Sequence, residues 1–389
     1  MQKKKILFIM ESLRIGGAEK SLLTLLSYIN YEMYEVELLL FNYEGEFMDF
    51  LPKQVKLTEE DQAYKIFRKN RKLSPLRYLV RGDFKRYWHS SAYLVGCLWQ
   101  RVCRKPLYIG WNHVKYLYEN RTIKADVSIA YLERKCIYFN AEYVDSNRKI
   151  GFIHNDLSVY PYDEYMDRKY FAYYDAIATV SKHCIEVLRK IYPEFNRKFT
   201  IIQNMVSPEI IQTMANETIS ETLYKTSKPI IITVGRLVEQ KGYDNAIKVC
   251  RLLMDRGISV FWYAIGDGPD REKLQNLIRD LNLEDNFILI GSQKNPYKWI
   301  NNADIYVQPS RFEGFGITIA EAKALNKLIV CSDIPEFHEQ LGERLNCYCK
   351  NNEMMADNII ANLKKENKTE IYDTDNMDIL TKFYKVIEG

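Results

Sequence analysis

The feature that most constrains this chain is a pattern that runs through it twice. Residues 4–10 form a short apolar run, the loop 14–19 carries Gly16 and Gly17, and residues 20–29 place apolar side chains at helical spacing. Strand, glycine turn and helix open a series in that order. Further apolar runs at 36–41, 125–131, 149–153, 175–180 and 199–203 predict strands, and Ser181 stands where it would cap a helix reaching residue 191. After a polar stretch at 208–228 the series restarts. Residues 229–234, 260–265, 287–290, 304–308 and 328–331 read as strands, separated by helical stretches at 243–256, before 281 and from about 317. Strands that alternate with helices form parallel sheets covered on both faces. Two such series predict two doubly wound α/β domains that bind ligands at the carboxyl ends of their strands. The expected boundaries are a first domain at 1–210, a connector at 211–228, a second domain at 229–375 and a short amphipathic helix at 376–389 returning to the first domain. Residues 60–118 read as helical or irregular.

The length agrees, because 389 residues exceed the roughly 250–300 that one core usually holds. A chain 47% hydrophobic and 27% charged is globular in composition, which excludes a disordered or fibrous protein. No uninterrupted apolar run approaches the roughly 18 residues of a spanning helix. The run at 6–10 is too short for a secretory signal. The eight cysteines are scattered through apolar contexts without the paired spacing of a zinc site. They are expected to be reduced thiols, mostly core filler, in a cytoplasmic protein.

Charge is unevenly placed. From Lys65 to Lys124 there are fifteen Lys and Arg against Asp83 and Glu119, a net +13 within a chain of net +4. The same window holds eleven aromatic residues, including Trp88, Trp99 and Trp111. Cations interleaved with tryptophan and tyrosine suit an anionic membrane surface. They also suit nucleic acid, but no nucleic-acid motif accompanies them. A solvated basic face is the third reading.

The residues that carry chemistry follow strands of the second series. Gly235 ends a strand, and Arg236 and Lys241 follow before a helix. Two cations beside a helix N-terminus suit a diphosphate, because fixed charge and free amide hydrogens point the same way. In the stretch 313–321, Gly314 and Gly316 allow close backbone approach, and the amides of Ile317 and Thr318 are free donors of a new helix. Glu313 lies in the loop and Glu321 one turn into the helix. Carboxylates in that position do not bind phosphate, but they accept hydrogen bonds from ribose or sugar hydroxyls. Gly266 opens a tight turn, Gly266-Asp-Gly-Pro269, that could face a base. His154 ends the strand at 149–153, before Asn155 and Asp156.

Gly235-Arg-Leu with Lys241-Gly242, Gly266-Asp-Gly-Pro, Pro309-Ser-Arg-Phe-Glu-Gly-Phe-Gly and the pair Glu313 and Glu321 occur in one order. Together they resemble family 4 of the GT-B glycosyltransferases, the retaining class that uses nucleotide sugars. Gly16-Gly17-Ala-Glu and Ile153-His154 fit the same pattern. The resemblance implies a GT-B fold, with two Rossmann-like domains facing a central cleft. It implies that Arg236 and Lys241 hold the donor diphosphate and that Glu321 accepts from the ribose. Glu313 would contact the donor sugar, with Gly314, Phe315 and Gly316 supplying amides. Ser292 and Gln293 would lie near the base, Gly16 and Gly17 near the phosphates, and His154 by the transferred sugar and acceptor. The family usually has Met and Gly where this chain has Lys323 and Asn326, which leaves the packing of that helix open.

The reaction so implied moves a hexosyl group from a nucleotide sugar, with UDP preferred, to a saccharide or polyprenyl-linked acceptor. Arg236, Lys241 and the helix amides would stabilise charge on the leaving diphosphate, so no metal and no further cofactor is expected. Asp373-Thr-Asp375 spells a metal-binding triplet in a polar stretch and is read as unrelated. A peripheral place on the inner face of the cell membrane would suit such an enzyme of surface polysaccharide or glycolipid synthesis. The rivals are another sugar-nucleotide enzyme, such as an epimerase, and a non-catalytic sugar-nucleotide-binding protein. No G-x-G-x-x-G follows a strand, which counts against a dinucleotide site.

Overall fold

The computed structural model describes residues 3–103, 110–119, 122–159, 162–219, 228–365, 369–372 and 376–389, the side chains of 100–103 excepted. It divides into two compact units. One holds Met1–Thr179, Leu188–Thr200 and Phe383–Gly389, and the other Val180–Val187 and Ile201–Lys382.

The first unit is built on seven strands: β1 (Lys4–Met10), β2 (Tyr34–Leu40), β3 (Lys56–Leu57), β4 (Ile123–Ala130), β5 (Val144–Ile153), β6 (Ala176–Thr179) and β7 (Phe199–Ile201). Their order is β3-β2-β1-β4-β5-β6-β7. β1 pairs in parallel with both β2 and β4, so the chain's direction across the sheet reverses there. Ile6 to Met10 are buried on both faces, which is why β1 reads as a continuous apolar run instead of an alternating one. Residues 383–389 complete this unit. Phe383 stacks on Phe8 at 6.2 Å, Tyr384 stacks on Tyr34 at 5.6 Å, and Tyr34 donates a hydrogen bond to Glu388 at 2.7 Å. The stretch 60–118, not resolved into elements from the sequence, contains the helices Gln62–Lys69, Ser74–Val80, Phe84–Cys103 and Gly110–Val114.

The second unit repeats the plan with six strands: β8 (Ile230–Val234), β9 (Phe261–Ile265), β10 (Phe287–Gly291), β11 (Ile305–Gln308), β12 (Leu328–Ser332) and β13 (Tyr348–Cys349). Their order is β10-β9-β8-β11-β12-β13, and the reversal falls between β8 and β11. One core layer on this sheet gathers Tyr243, Ile247, Trp262, Val307 and Val330, and the other gathers Ile232, Tyr263, Tyr306, Ile319 and Phe337.

Two expectations change. The segment 211–228 was read as a connector, but Pro208–Ala215 is a helix. Ser207 caps it by accepting from the Ile210 amide at 3.3 Å, and Ile211 and Ala215 are buried in the second unit's core. The open question at Lys323 and Asn326 also closes. Asn326 adopts φ +52°, the left-handed conformation that glycine favours and asparagine tolerates. Lys323 donates to the Gln340 carbonyl at 2.8 Å. Asp373-Thr-Asp375 lies outside the described residues.

Candidate functional site

Four loops leave the carboxyl edge of the second sheet side by side, and backbone hydrogen bonds tie each to the next. Gly266, after β9, donates from its amide to the Gly291 carbonyl at the end of β10 (3.0 Å). Gly235, after β8, donates to Ile265 (2.9 Å), and Leu237 donates to Asp267 (3.0 Å). The loop after β11 is joined by Arg311, whose amide donates to Gln240 at 2.8 Å and whose guanidinium grips both oxygens of Asp244 at 2.9 and 2.8 Å. Burial works against ionising Asp244, but the Arg311 hydrogen bonds and charge prevail and hold its carboxyl below the ordinary value. Gly242 lets the two loops touch. Its φ is +66°, and a Cβ there would stand 1.9 Å from the Pro309 carbonyl oxygen.

This edge brings Lys241 onto Glu313. The ammonium donates to Oε1 at 2.6 Å and to Oε2 at 2.8 Å, and both side chains are largely buried. Behind Glu313 runs a chain of buried hydroxyls and amides. Ser310 donates to Glu313 Oε1 at 2.7 Å, and Gln308 Nε2 donates to Ser310 at 2.8 Å. Tyr306 and Thr318 both donate to Gln308 Oε1, at 2.6 and 3.2 Å. Every donor in this chain points toward Glu313, so the carboxylate accepts hydrogen bonds from Lys241 and Ser310. The only hint was a glutamine closing an otherwise apolar strand.

Gly316 precedes the helix Ile317–Ala324 in the left-handed conformation (φ +77°), with no room for a Cβ against the Phe337 ring. Gln340 donates to the carbonyls of Phe315 and Gly316, which pins the glycine loop from below. The amides of Ile317 and Thr318 open the helix, while the Thr318 hydroxyl is committed to Gln308. Glu321 is 1% exposed and accepts from the Tyr297 hydroxyl at 2.9 Å. Burial, and then the Glu321 charge, push the Tyr297 phenol well above its ordinary value, so it stays protonated as the donor. Arg236 is exposed beside this group and has no acidic partner among the described residues. Ser292 is exposed and Gln293 half-buried just past β10. Thus Gly235, Arg236, Lys241, Gly266, Ser292, Gln293, Glu313 to Thr318 and Glu321 occupy one sheet edge.

Gly16, Gly17 and His154 form a separate group at the carboxyl edge of the first sheet. Gly17 starts the helix Gly17–Tyr28 directly after the β1 loop. Ser21 of that helix shares a hydrogen bond with the Tyr131 hydroxyl at 3.1 Å, and Tyr131 follows β4. The His154 ring, just beyond β5, lies 5.1 Å from Tyr131 and stacks on Phe152 at 5.8 Å. Glu133 accepts from the His154 amide at 3.2 Å and from the Asn155 side chain. The switch from β1 to β4 therefore collects the N-terminal glycine loop, Tyr131 and His154, and Tyr131 and Glu133 were not anticipated.

The family described as Glycosyl transferases group 1 matches residues 215–375. An uncharacterized glycosyltransferase of Methanocaldococcus jannaschii is 31% identical over 169 residues, 42% of this chain and 41% of that protein. The N-acetylgalactosamine-N,N'-diacetylbacillosaminyl-diphospho-undecaprenol 4-alpha-N-acetylgalactosaminyltransferase of Campylobacter jejuni is 31% identical over 160 residues, 41% of each. The chain spans about two fifths of the length of these curated relatives. Solved structures are similar over its whole length. HepE of Anabaena in complex with UDP superposes with a TM-score of 0.66 at 16% identity, covering 99% of both chains. The lipopolysaccharide outer core galactosyltransferase WaaB gives 0.57 at 17%, again covering 99% of both. These likenesses are of the fold, which is GT-B.

Proposed function

We propose, for a chain whose residues 215–375 belong to the glycosyl transferases group 1 family, that it is a retaining glycosyltransferase. It moves a hexosyl residue from a nucleotide sugar, with UDP as the carrier, to a saccharide or lipid-linked saccharide in the synthesis of a surface polysaccharide or glycolipid. The observation that carries this reading is the Lys241–Glu313 pair at the N-terminus of the helix Ile317–Ala324. A diphosphate arriving at that helix end meets free amides and two cations, Lys241 and Arg236. As Lys241 turns to phosphate, Glu313 is left to accept from a sugar hydroxyl.

In this reading the glycosidic bond to the diphosphate breaks while a bond to the acceptor oxygen forms on the same face of the sugar. The acceptor proton passes to a phosphate oxygen as it leaves. Arg236, Lys241 and the amides of Gly316 to Thr318 stabilise the charge that grows on the diphosphate, the electrostatic contribution that usually dominates. Glu321, oriented by Tyr297, takes the ribose hydroxyls. Ser292 and Gln293 face the base. The acceptor belongs to the first unit, where Gly16, Gly17 and His154 gather with Tyr131 and Glu133 at the carboxyl edge of the sheet. Support for the carrier and the acceptor class comes from the UDP bound in HepE and the diphospho-undecaprenol acceptor named for the Campylobacter relative.

A thermal-shift panel of UDP, GDP, ADP and their sugars tests the donor half. A ligand at a hundredfold its Kd adds about 2.7 kcal/mol of stability. UDP and UDP-sugars should raise the melting temperature, and Lys241→Ala should abolish the rise. No shift with any nucleotide would overturn the reading. A nuclear magnetic resonance time course separates the rivals. Loss of sugar nucleotide without acceptor, giving an isomeric sugar nucleotide, would mean an epimerase.

A further inference from the structure

The helices at 62–103 make a surface for which the chemistry above has no use. Asp61 caps Gln62–Lys69 by accepting from the Tyr64 amide at 2.7 Å. Tyr64 and Phe67 face inward, so Lys65, Ile66 and Lys69 face out. The helix Ser74–Val80 buries Ser74 and Tyr78, and Tyr78 donates to the Ala63 carbonyl at 2.7 Å. That contact fixes the two helices against each other and leaves Leu76, Arg77, Val80 and Arg81 outside. Between them lies a pocket of about 520 Å³ whose charged lining is Lys65, Lys69, Arg77 and Arg81, with Ile66, Leu76 and Val80 as its apolar wall. No acid lines it. Lys65 is paired with Glu60 at 2.5 Å, but Lys69, Arg77 and Arg81 have no acidic partner among the described residues.

The next helix, Phe84–Cys103, begins three residues beyond Arg81, with Asp83 accepting from the Arg86 amide at 3.0 Å. At about 100° per residue, Phe84, Trp88, Val95, Leu98 and Trp99 fall within a sector of about 100°. All five are exposed, Trp88 by 67% and Trp99 by 53%, and Val80 beside the pocket by 80%. A helix usually buries such a stripe, and a contiguous exposed one marks an interaction surface.

An apolar stripe with two tryptophans beside unpaired cations matches the layering of a phospholipid surface. Phosphates lie outermost and tryptophan prefers the headgroup level. We infer that this face of the first unit seats on an anionic phospholipid bilayer. Lipid phosphates enter the pocket at Lys69, Arg77 and Arg81, and the stripe from Phe84 to Trp99 dips into the boundary between headgroups and acyl chains. No helix among the described residues is long and apolar enough to cross a membrane, so the contact is a seat and not a span. A second copy of the chain fits the face less well. A two-fold interface sets a patch against itself, which would oppose these cations to their own copies. The inference deepens the proposed function, because a lipid-linked acceptor is presented at such a surface, but its test does not depend on turnover.

The full chain is floated with vesicles of phosphatidylcholine, alone and with a third phosphatidylglycerol, at low and high salt. Binding should require the anionic lipid and fall as salt rises. The double variant Arg77→Glu with Arg81→Glu should weaken binding at least about tenfold. Trp88→Glu should weaken it as well, while inorganic phosphate should compete only at concentrations that act as ordinary salt. Each variant's UDP thermal shift, read on the same preparation, shows that the chain is folded and keeps failure here distinct from failure of the donor site. No flotation with anionic vesicles would overturn the inference. So would flotation unchanged in both variants, competition by micromolar phosphate, or a dimer in light scattering that Trp88→Glu splits without any vesicle binding.

Discussion

Lys241 donates to both carboxylate oxygens of Glu313, at 2.6 and 2.8 Å, across a sequence separation of 72 residues. The proposed donor machinery therefore contains a largely buried ion pair. Removing one partner from a largely buried pair leaves an uncompensated charge, which costs more than the pair itself contributes. Lys241→Met should lower stability, and adding Glu313→Gln should restore part of it, with a coupling of about 1–3 kcal/mol. Thermal or urea melts of the two single variants and the double variant measure that coupling. Additive effects would mean the pair does not act as a unit.

Ser310 supplies the hydrogen bond that holds Glu313 from behind, and Gln308 supplies the one that holds Ser310. Ser310→Ala removes the charge-assisted hydrogen bond to Glu313 and the one Ser310 accepts from Gln308, which leaves two buried groups short of a partner at a cost of about 2–3 kcal/mol. The expected result is a fall in kcat/KM of roughly tenfold together with a lower melting temperature. Gln308→Leu should be worse on both counts, because it strips partners from Ser310, Tyr306 and Thr318 together. Steady-state kinetics beside melts of the same proteins distinguish the two.

That chain of side chains also marks where reading the sequence stops. β1 and β8 were legible because strands buried on both faces are uninterrupted apolar runs, each followed by a glycine-bearing loop. The helix after Ser181 was legible from its cap, and the Ser181 hydroxyl does accept from the Cys184 amide at 3.1 Å. The loops bearing Lys241 and Glu313 could be recognised as motifs. β3 and β13 could not, since each is a two-residue edge strand with no periodicity to detect. Pro208–Ala215 reads as a connector because its apolar face is short, Ile211, Met214 and Ala215, although Ser207-Pro208 is a cap followed by a favoured first residue. Arg311 and Asp244, or Tyr297 and Glu321, become partners only once β8 and β11 are neighbours. No local pattern encodes that.

Asp167 gives the fold a pH dependence away from the candidate site. Burial raises its carboxyl from 3.8 to about 6, despite hydrogen bonds from Tyr138 (2.6 Å) and Tyr192 (2.9 Å) that favour the ionised form. Between those two values the folded chain keeps a proton that the unfolded chain has lost. Stability from this group therefore falls as pH rises from about 4 to 6 and stays low above that range. Asp167→Asn lacks this fall, so the variant should gain on the wild type by about 2–4 kcal/mol across the window. Urea melts of both proteins at pH 4.5 and 7 test the sign. A gap that narrows with rising pH would show that the tyrosine hydrogen bonds outweigh burial.

Gly242 and Gly257 have nearly the same backbone, φ +66° and +78°, but opposite surroundings. A Cβ on Gly257 meets nothing within 4 Å, whereas on Gly242 it would stand 1.9 Å from the Pro309 carbonyl oxygen. Gly257→Ala should cost only the left-handed strain, about 1–2 kcal/mol. Gly242→Ala carries the same strain and must also push the 236–242 loop off the loop that carries Glu313. It should melt several degrees lower than Gly257→Ala and lose the UDP thermal shift that Gly257→Ala keeps. If both variants bound UDP alike, close approach of these two loops would not be what assembles the donor site.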